Sequence, residues 1–161
     1  GIENVFEILS SSSRIKAVLF GAEDYTADIG AKRTKKGVEI MYGRSRIVNA
    51  ATAAMVEAID TPFTDIDDFE GLKEDVQFAK DIGFSGKAVI SPRHCSIVKE
   101  LFSPSQEEID YALKVINAIQ KAKEEGKGVV SLDGKMIDAP IVNRANKVLK
   151  LSGLEGVWNY E

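Results

Sequence analysis

Three short apolar runs, IKAVLF at 15–20, VEAID at 56–60 and KAVIS at 87–91, are each bounded by turn residues and separated by stretches of helical period. Runs this short suit strands better than helices. Their lack of apolar–polar alternation suits parallel strands covered on both faces. Between them, Ile40, Ile47, Val48, Ala51 and Met55 fall on one face of a helix. Leu72, Val76, Phe78 and Ala79 fall on one face of a second, with Gly83 as its C-terminal cap. Strand and helix alternating at this spacing make βα units, which predicts an α/β fold with a parallel sheet and right-handed crossovers.

The flanks are helical. Ile2, Val5, Phe6 and Leu9 open an apolar-periodic segment directly after Gly1, as expected from a trimmed initiator methionine or from a fragment. Ser103-Pro104-Ser105-Gln106-Glu107-Glu108 offers an N-cap with acids in the first turn, and Ile109, Leu113, Ile116 and Ile119 recur until Glu125-Gly126. Beyond lie a turn at Asp133-Gly134 and Asp138-Ala139-Pro140 at the start of a last helix. Trp158 and Tyr160 read either as a packing contact or as a disordered tail.

In parallel βα folds the loops at the carboxyl edge converge on one crevice. Here those loops carry Gly21-Ala22-Glu23-Asp24, Asp60-Thr61-Pro62-Phe63-Thr64-Asp65 and Ser91-Pro92-Arg93-His94. Glu23, Asp24 and Asp28 repel one another unless water, a cation or a donor compensates them. Paired acids in such a loop serve equally as turn caps or as ligands for a hard cation, which wants carboxylate oxygens and keeps several waters. By spacing, Asp138 reads first as an N-cap. Asp60, Asp65, Asp67 and Asp68 read mainly as solvated loop residues or caps for the helix near Phe69, with a substrate contact as the alternative. Arg44 and Arg46 read as surface or ion-pair residues rather than substrate clamps.

Several function classes are excluded. A net charge of -4 and an isolated basic stretch, Lys32-Arg33-Lys35-Lys36, argue against nucleic-acid binding. No apolar run approaches a membrane span, and no signal peptide is evident. The single cysteine, Cys95, forms no internal disulfide and suits a reducing cytoplasm. With His94 as the only histidine, a zinc site or triad built on several is not expected, and adjacent His94 and Cys95 do not face each other as a catalytic pair.

GAEDYTADIG, followed by AIDTPFTDIDDFEGL, GFSGKAVISPR, FSPSQEEI and GVVSLDGKMIDAPIV, closely resembles the family of citrate lyase beta subunits and related citryl-CoA, malyl-CoA and citramalyl-CoA lyases of aldolase type. The resemblance runs in order over nearly the whole chain. It implies a Mg2+-dependent TIM (β/α)8 barrel, usually trimeric. A typical barrel needs about 250 residues, so the chain is expected to hold the C-terminal half: the last three βα units within 1–126, and an extension at 127–161 that reaches a neighbouring subunit. The resemblance places a metal ligand at Asp24 and a catalytic aspartate at Asp138. It also assigns Gly21, Ala22 and Glu23 to backbone contacts with a substrate carboxylate. A second metal-binding glutamate and a substrate arginine are expected upstream, so activity of this chain alone is in doubt.

The implied reaction cleaves a citryl thioester, on CoA or on an acyl carrier protein, to oxaloacetate and an acetyl thioester. Partner alpha and gamma subunits follow for the carrier-protein form. The alternatives are a malyl-CoA or citramalyl-CoA lyase, and a catalytically incompetent truncated half-barrel. Met55 departs from the family pattern, which usually has glycine there, as do Glu3 and Pro62.

Overall fold

The computed structural model describes residues 1–126 and 130–154, so Trp158, Tyr160 and the start of GVVSLDGKMIDAPIV lie outside the described residues. The elements, in order, are α1 (Val5–Ser10), β1 (Ala17–Leu19), α2 (Ala22–Asp28), α3 (Met41–Ala54), β2 (Glu57–Asp60), α4 (Phe69–Asp81), β3 (Gly86–Lys87) and α5 (Pro92–Phe102). These form one compact unit, residues 1–102. The second unit, residues 103–161, contains α6 (Gln106–Glu124), β4 (Ser131–Leu132), β5 (Lys135–Met136) and α7 (Ala139–Leu151).

In the first unit the strands run parallel in the order β1-β2-β3, with Ala17, Val18 and Leu19 opposite Glu57, Ala58 and Ile59. The parallel sheet and βα alternation are those the apolar runs predict. Burial on both faces is not. Phe20, Ala58 and Asp60 are buried, whereas Leu19 is 57% exposed. The buried face packs on α1 and α3 through Val5, Leu9, Ile47, Ala50 and Ala51, whereas Leu19, on the other face of β1, is left open. KAVIS contributes almost nothing to the ladder, because β3 ends at Lys87.

The helix faces are largely as read, with two departures. Phe78 is 40% exposed, while Leu72, Val76 and Ala79 carry the buried stripe of α4. Met55 lies past the end of α3, capping it at φ 56 and ψ 43 with its side chain 92% exposed. A left-handed cap is a glycine position because a Cβ crowds the neighbouring carbonyl. That is the physical sense of the glycine usual there.

In the second unit α6 buries Ala112, Val115 and Ile116 against Val142, Ala145 and Leu149 of α7. The helix read from sequence as part of a segment 1–126 therefore packs with the extension, and the compact units divide at 102/103. Its start is a capping box: the Ser105 hydroxyl accepts from the Glu108 N–H, and the Glu108 carboxylate accepts from the Ser105 N–H at 2.8 Å. Among the described residues no helix is long and apolar enough to cross a membrane.

Candidate metal and thioester site

Gly21 follows β1 and is the N-cap of α2, placing Ala22, Glu23 and Asp24 in the first helical turn at the carboxyl edge of the sheet. First-turn N–H groups lack intrahelical acceptors and so are available to other partners. Glycine has no side chain to cap them, and Ala22 N–H instead donates to Thr61 Oγ1, in the loop after β2, at 3.4 Å. Ala22 is fully buried, so the turn is seated firmly on the sheet.

The two adjacent acids separate. Glu23 lines a polar cleft of ≈ 340 Å³ shared with Arg33, Lys35, Phe63 and Asp65. Its Oε1 lies 3.2 Å from Arg33 Nε, an ion pair too misaligned to be a hydrogen bond. Asp24 instead lines a cleft of ≈ 500 Å³ with Gly21, Tyr25, Val18 and Leu19. It is exposed, and among the described residues its carboxylate has no hydrogen-bond or ion-pair partner. The repulsion that three acids imply is thus relieved by a cation at Glu23 and by solvent at Asp24.

The basic stretch is a loop, as read, but an anchored one. Glu39 accepts from Thr34 N–H at 2.7 Å, Thr34 Oγ1 at 2.8 Å and Arg33 Nη1 at 3.0 Å. Burial pushes the Glu39 carboxyl up, but backbone N–H groups, the Thr34 hydroxyl and Arg33 outweigh it and bring it from 4.5 to about 2. Lys35 crosses to Asp65 at 3.0 Å and Asp68 at 2.9 Å.

Asp60 corrects the acidic-loop reading. It is fully buried, and accepts from Arg44 Nε at 3.0 Å, Arg44 Nη2 at 2.7 Å and Lys87 Nζ at 2.6 Å. Asp75 closes the cluster, 2.7 Å from Arg44 and 2.5 Å from Lys87. Burial raises Asp75, yet Lys87 and Arg44 hold it below the ordinary 3.8. Arg44 is an ion-pair residue as expected, but a buried one, at 2% exposure. Its sequence signal is position: Arg44 falls in the stripe of Ile40, Ile47 and Ala51, and Asp75 beside Leu72, Val76 and Ala79. A charge on an apolar stripe calls for a buried partner.

Asp68 is the N-cap of α4, accepting from Gly71 N–H at 2.9 Å. Arg93 reaches Asp67 at 2.8 Å on the surface, and Arg46 donates to the Glu3 carbonyl at 2.7 Å. Buried His94 places Nε2 3.1 Å from the Ile66 carbonyl, whereas Cys95 is exposed, so the two make no pair. Asp138, in the second unit, is exposed and caps α7, its Oδ1 accepting from Ile141 N–H at 3.1 Å.

No three His, Cys, Asp or Glu side chains converge on a metal position among the described residues. Asp24 is an open hard-oxygen donor at the carboxyl edge, in a cleft that Glu3 and Asp28 also line. One such donor fits Mg2+, which retains waters and takes one or two carboxylates together with substrate oxygens.

Comparison with known proteins gives this arrangement a context. The family model described as HpcH/HpaI aldolase/citrate lyase matches residues 1–92. Citrate lyase subunit beta of Leuconostoc mesenteroides subsp. cremoris is 41% identical over 152 residues, 94% of this chain and 50% of that protein. Human mitochondrial citramalyl-CoA lyase is 38% identical over 138 residues, 86% of this chain and 41% of that protein. A solved structure of CitE from Mycobacterium tuberculosis with magnesium, acetoacetate and coenzyme A superposes with a TM-score of 0.78 at 28% identity, over 95% of this chain and 57% of that one. The chain thus spans about half the length of the curated relatives it matches. With more than half of its residues inside the family model and a parallel βα sheet ending in Gly21–Asp24, this chain belongs to the HpcH/HpaI aldolase/citrate lyase family.

Proposed function

We propose that the chain forms part of a Mg2+-dependent carbon–carbon lyase that cleaves a citryl thioester to oxaloacetate and an acetyl thioester, with β1-β2-β3 as a segment of a (β/α)8 barrel. The observation that carries the reading is the Asp24 carboxylate, unpartnered at the carboxyl edge of β1 and inside the matched residues 1–92. The similarity to citrate lyase beta subunits, and a neighbour solved with oxaloacetate and magnesium, support the substrate and the metal. Citramalyl-CoA lyases of similar identity keep that CoA thioester as the second substrate candidate.

Asp24 would hold the ion. When bound, Mg2+ supplies Lewis-acid polarisation of the hydroxyl oxygen that becomes the keto group of oxaloacetate. Of the Gly21-Ala22-Glu23 segment, the Gly21 and Glu23 N–H groups would bind a carboxylate of the substrate, where the small residues let it approach the backbone, while the Ala22 N–H is held by Thr61 Oγ1 and keeps the turn in place. Arg33 draws Glu23 into the neighbouring cleft and so keeps a second negative charge away from that carboxylate. In the cleavage the hydroxyl proton passes to a base, the oxygen electron pair forms the keto C=O as the carbon–carbon bond breaks, and the pair of electrons of that bond is left on the acetyl thioester carbon, which takes up one proton, so that no proton is gained or lost overall. Asp138 handles that proton from a neighbouring subunit of a trimer. Its Oδ1 is committed to Ile141 N–H, and its exposure leaves the carboxylate accessible. A carrier-protein substrate brings alpha and gamma subunits; a CoA substrate does not. A cytoplasmic location agrees with the exposed, unpaired Cys95.

One observation favours a second reading, a chain catalytically incompetent by itself: among the described residues Asp24 belongs to no group of three or more His, Cys, Asp or Glu side chains that could hold a metal ion. Citryl, malyl and citramalyl thioesters assayed with Mg2+ and with EDTA test both. The lyase reading expects EDTA-sensitive release of a keto acid, abolished by Asp24→Ala. Turnover that survives EDTA or Asp24→Ala refutes it. Turnover that appears only with a second polypeptide present supports the incompetent chain.

A further inference from the structure

Thr61 has no place in the chemistry above, yet it is 1% exposed and spans two strands: it follows β2, and its Oγ1 takes the Ala22 N–H that opens α2 after β1. Gly21 makes no side-chain cap of its own, so a residue 39 positions away does that work. What holds Thr61 still is its neighbour. Asp60 is fixed by Arg44 from α3 and Lys87 from β3, and its carbonyl accepts from Ala88 N–H at 3.0 Å. On the other side Phe20 N–H donates to the Ile59 carbonyl at 3.0 Å, tying the residue before Gly21 to the residue before Asp60.

We propose that Thr61 is a positioning residue: its hydroxyl, held in place by the buried Arg44–Asp60–Lys87–Asp75 cluster, sets the orientation of the Gly21–Asp24 turn and with it the direction of the Asp24 carboxylate. The inference rests on the reading of Asp24 as metal ligand. It adds that the ligand's aim is decided in the next βα loop. Without the hydroxyl, Ala22 N–H would be a buried donor with no acceptor, and a seven-residue helix has few other ties to hold its first turn.

The test uses the full chain with Thr61→Val, which removes the hydroxyl at near-constant shape, and Thr61→Ser, which keeps it. Two quantities are read: amide hydrogen exchange at Ala22, and Mn2+ affinity by electron paramagnetic resonance, Mn2+ standing in for Mg2+. In Thr61→Val, exchange at Ala22 is expected to accelerate about tenfold and Mn2+ affinity to fall about tenfold, the scale of one net hydrogen bond. In Thr61→Ser both return close to the parent values. Unchanged exchange in Thr61→Val overturns the proposal, as does a serine variant as impaired as the valine one, which would indicate packing by the methyl group. Should the valine variant not fold, Thr61→Ala replaces it with the same two outcomes. Asp24→Asn separates the premises: if it binds Mn2+ like the parent, the metal reading fails, while exchange at Ala22 still judges the Thr61 contact.

Discussion

Replacing Asp60 with asparagine removes one negative charge from a site with no solvent to compensate. Asp60 is 0% exposed, and its side-chain partners Arg44 and Lys87 are 2% and 0% exposed. The parent cluster balances two cations with two anions; after Asp60→Asn both cations face Asp75 alone. Breaking a buried pair by deleting one partner costs about 3–5 kcal/mol, because the remaining charge stays buried without compensation. On a domain of this size that lowers Tm by about 10 °C or more. Thermal and urea unfolding of the variant measure it. Lys35→Ala is the control, since its pairs with Asp65 and Asp68 are exposed and such pairs contribute at most about 1 kcal/mol. Combining Asp60→Asn with Lys87→Met restores charge balance between Arg44 and Asp75, and is expected to recover part of the loss. If Asp60→Asn costs no more than Lys35→Ala, or the double variant shows no recovery, the cluster is not the buried, mutually compensating unit described here.

Other outcomes follow from the same geometry. Met55→Gly relieves a left-handed cap whose side chain is 92% exposed, and is expected to stabilise the protein by about 0.5–1 kcal/mol, read as a rise in Tm. Glu39 has its carboxyl held at about 2 against an ordinary 4.5, so the unfolded chain binds the proton more readily. Its contribution to stability is full above pH 4.5 and declines as pH falls toward 2; a Glu39→Gln variant should show a flatter stability profile over that window. Asp75, depressed below 3.8, adds acid sensitivity of the same sign. Asp138→Asn keeps a good N-cap and should leave unfolding unchanged while abolishing turnover, whereas Asp138→Ala should also cost about 1 kcal/mol of stability. A fully active asparagine variant would leave Asp138 as a cap only.

Sequence pattern reached far into this fold because the strands and helices follow ordinary local rules. The apolar runs located β1 and β2, and Asp138 before Pro140 marked the start of α7. It reached less far where tertiary context decides. KAVIS has the composition of a strand, but its ladder stops at Lys87 and Ile90 is left half exposed. Asp60 looked like a loop acid because its two cations come from positions 44 and 87, which only the folded βα units bring together. Thr61 carried no signal at all: its role depends on a backbone N–H contributed by another loop. The place of Asp24 just after a strand end was legible in the sequence, and the divergence of Glu23 toward Arg33 emerged only in three dimensions.

The most direct examination of the central claim is anomalous diffraction from crystals of the protein soaked in Mn2+ and oxaloacetate. The account predicts a peak within bonding distance of an Asp24 carboxylate oxygen, with oxaloacetate oxygens and waters in the remaining positions. Ordered oxaloacetate with no anomalous density at Asp24, or a manganese ion held elsewhere, would contradict it.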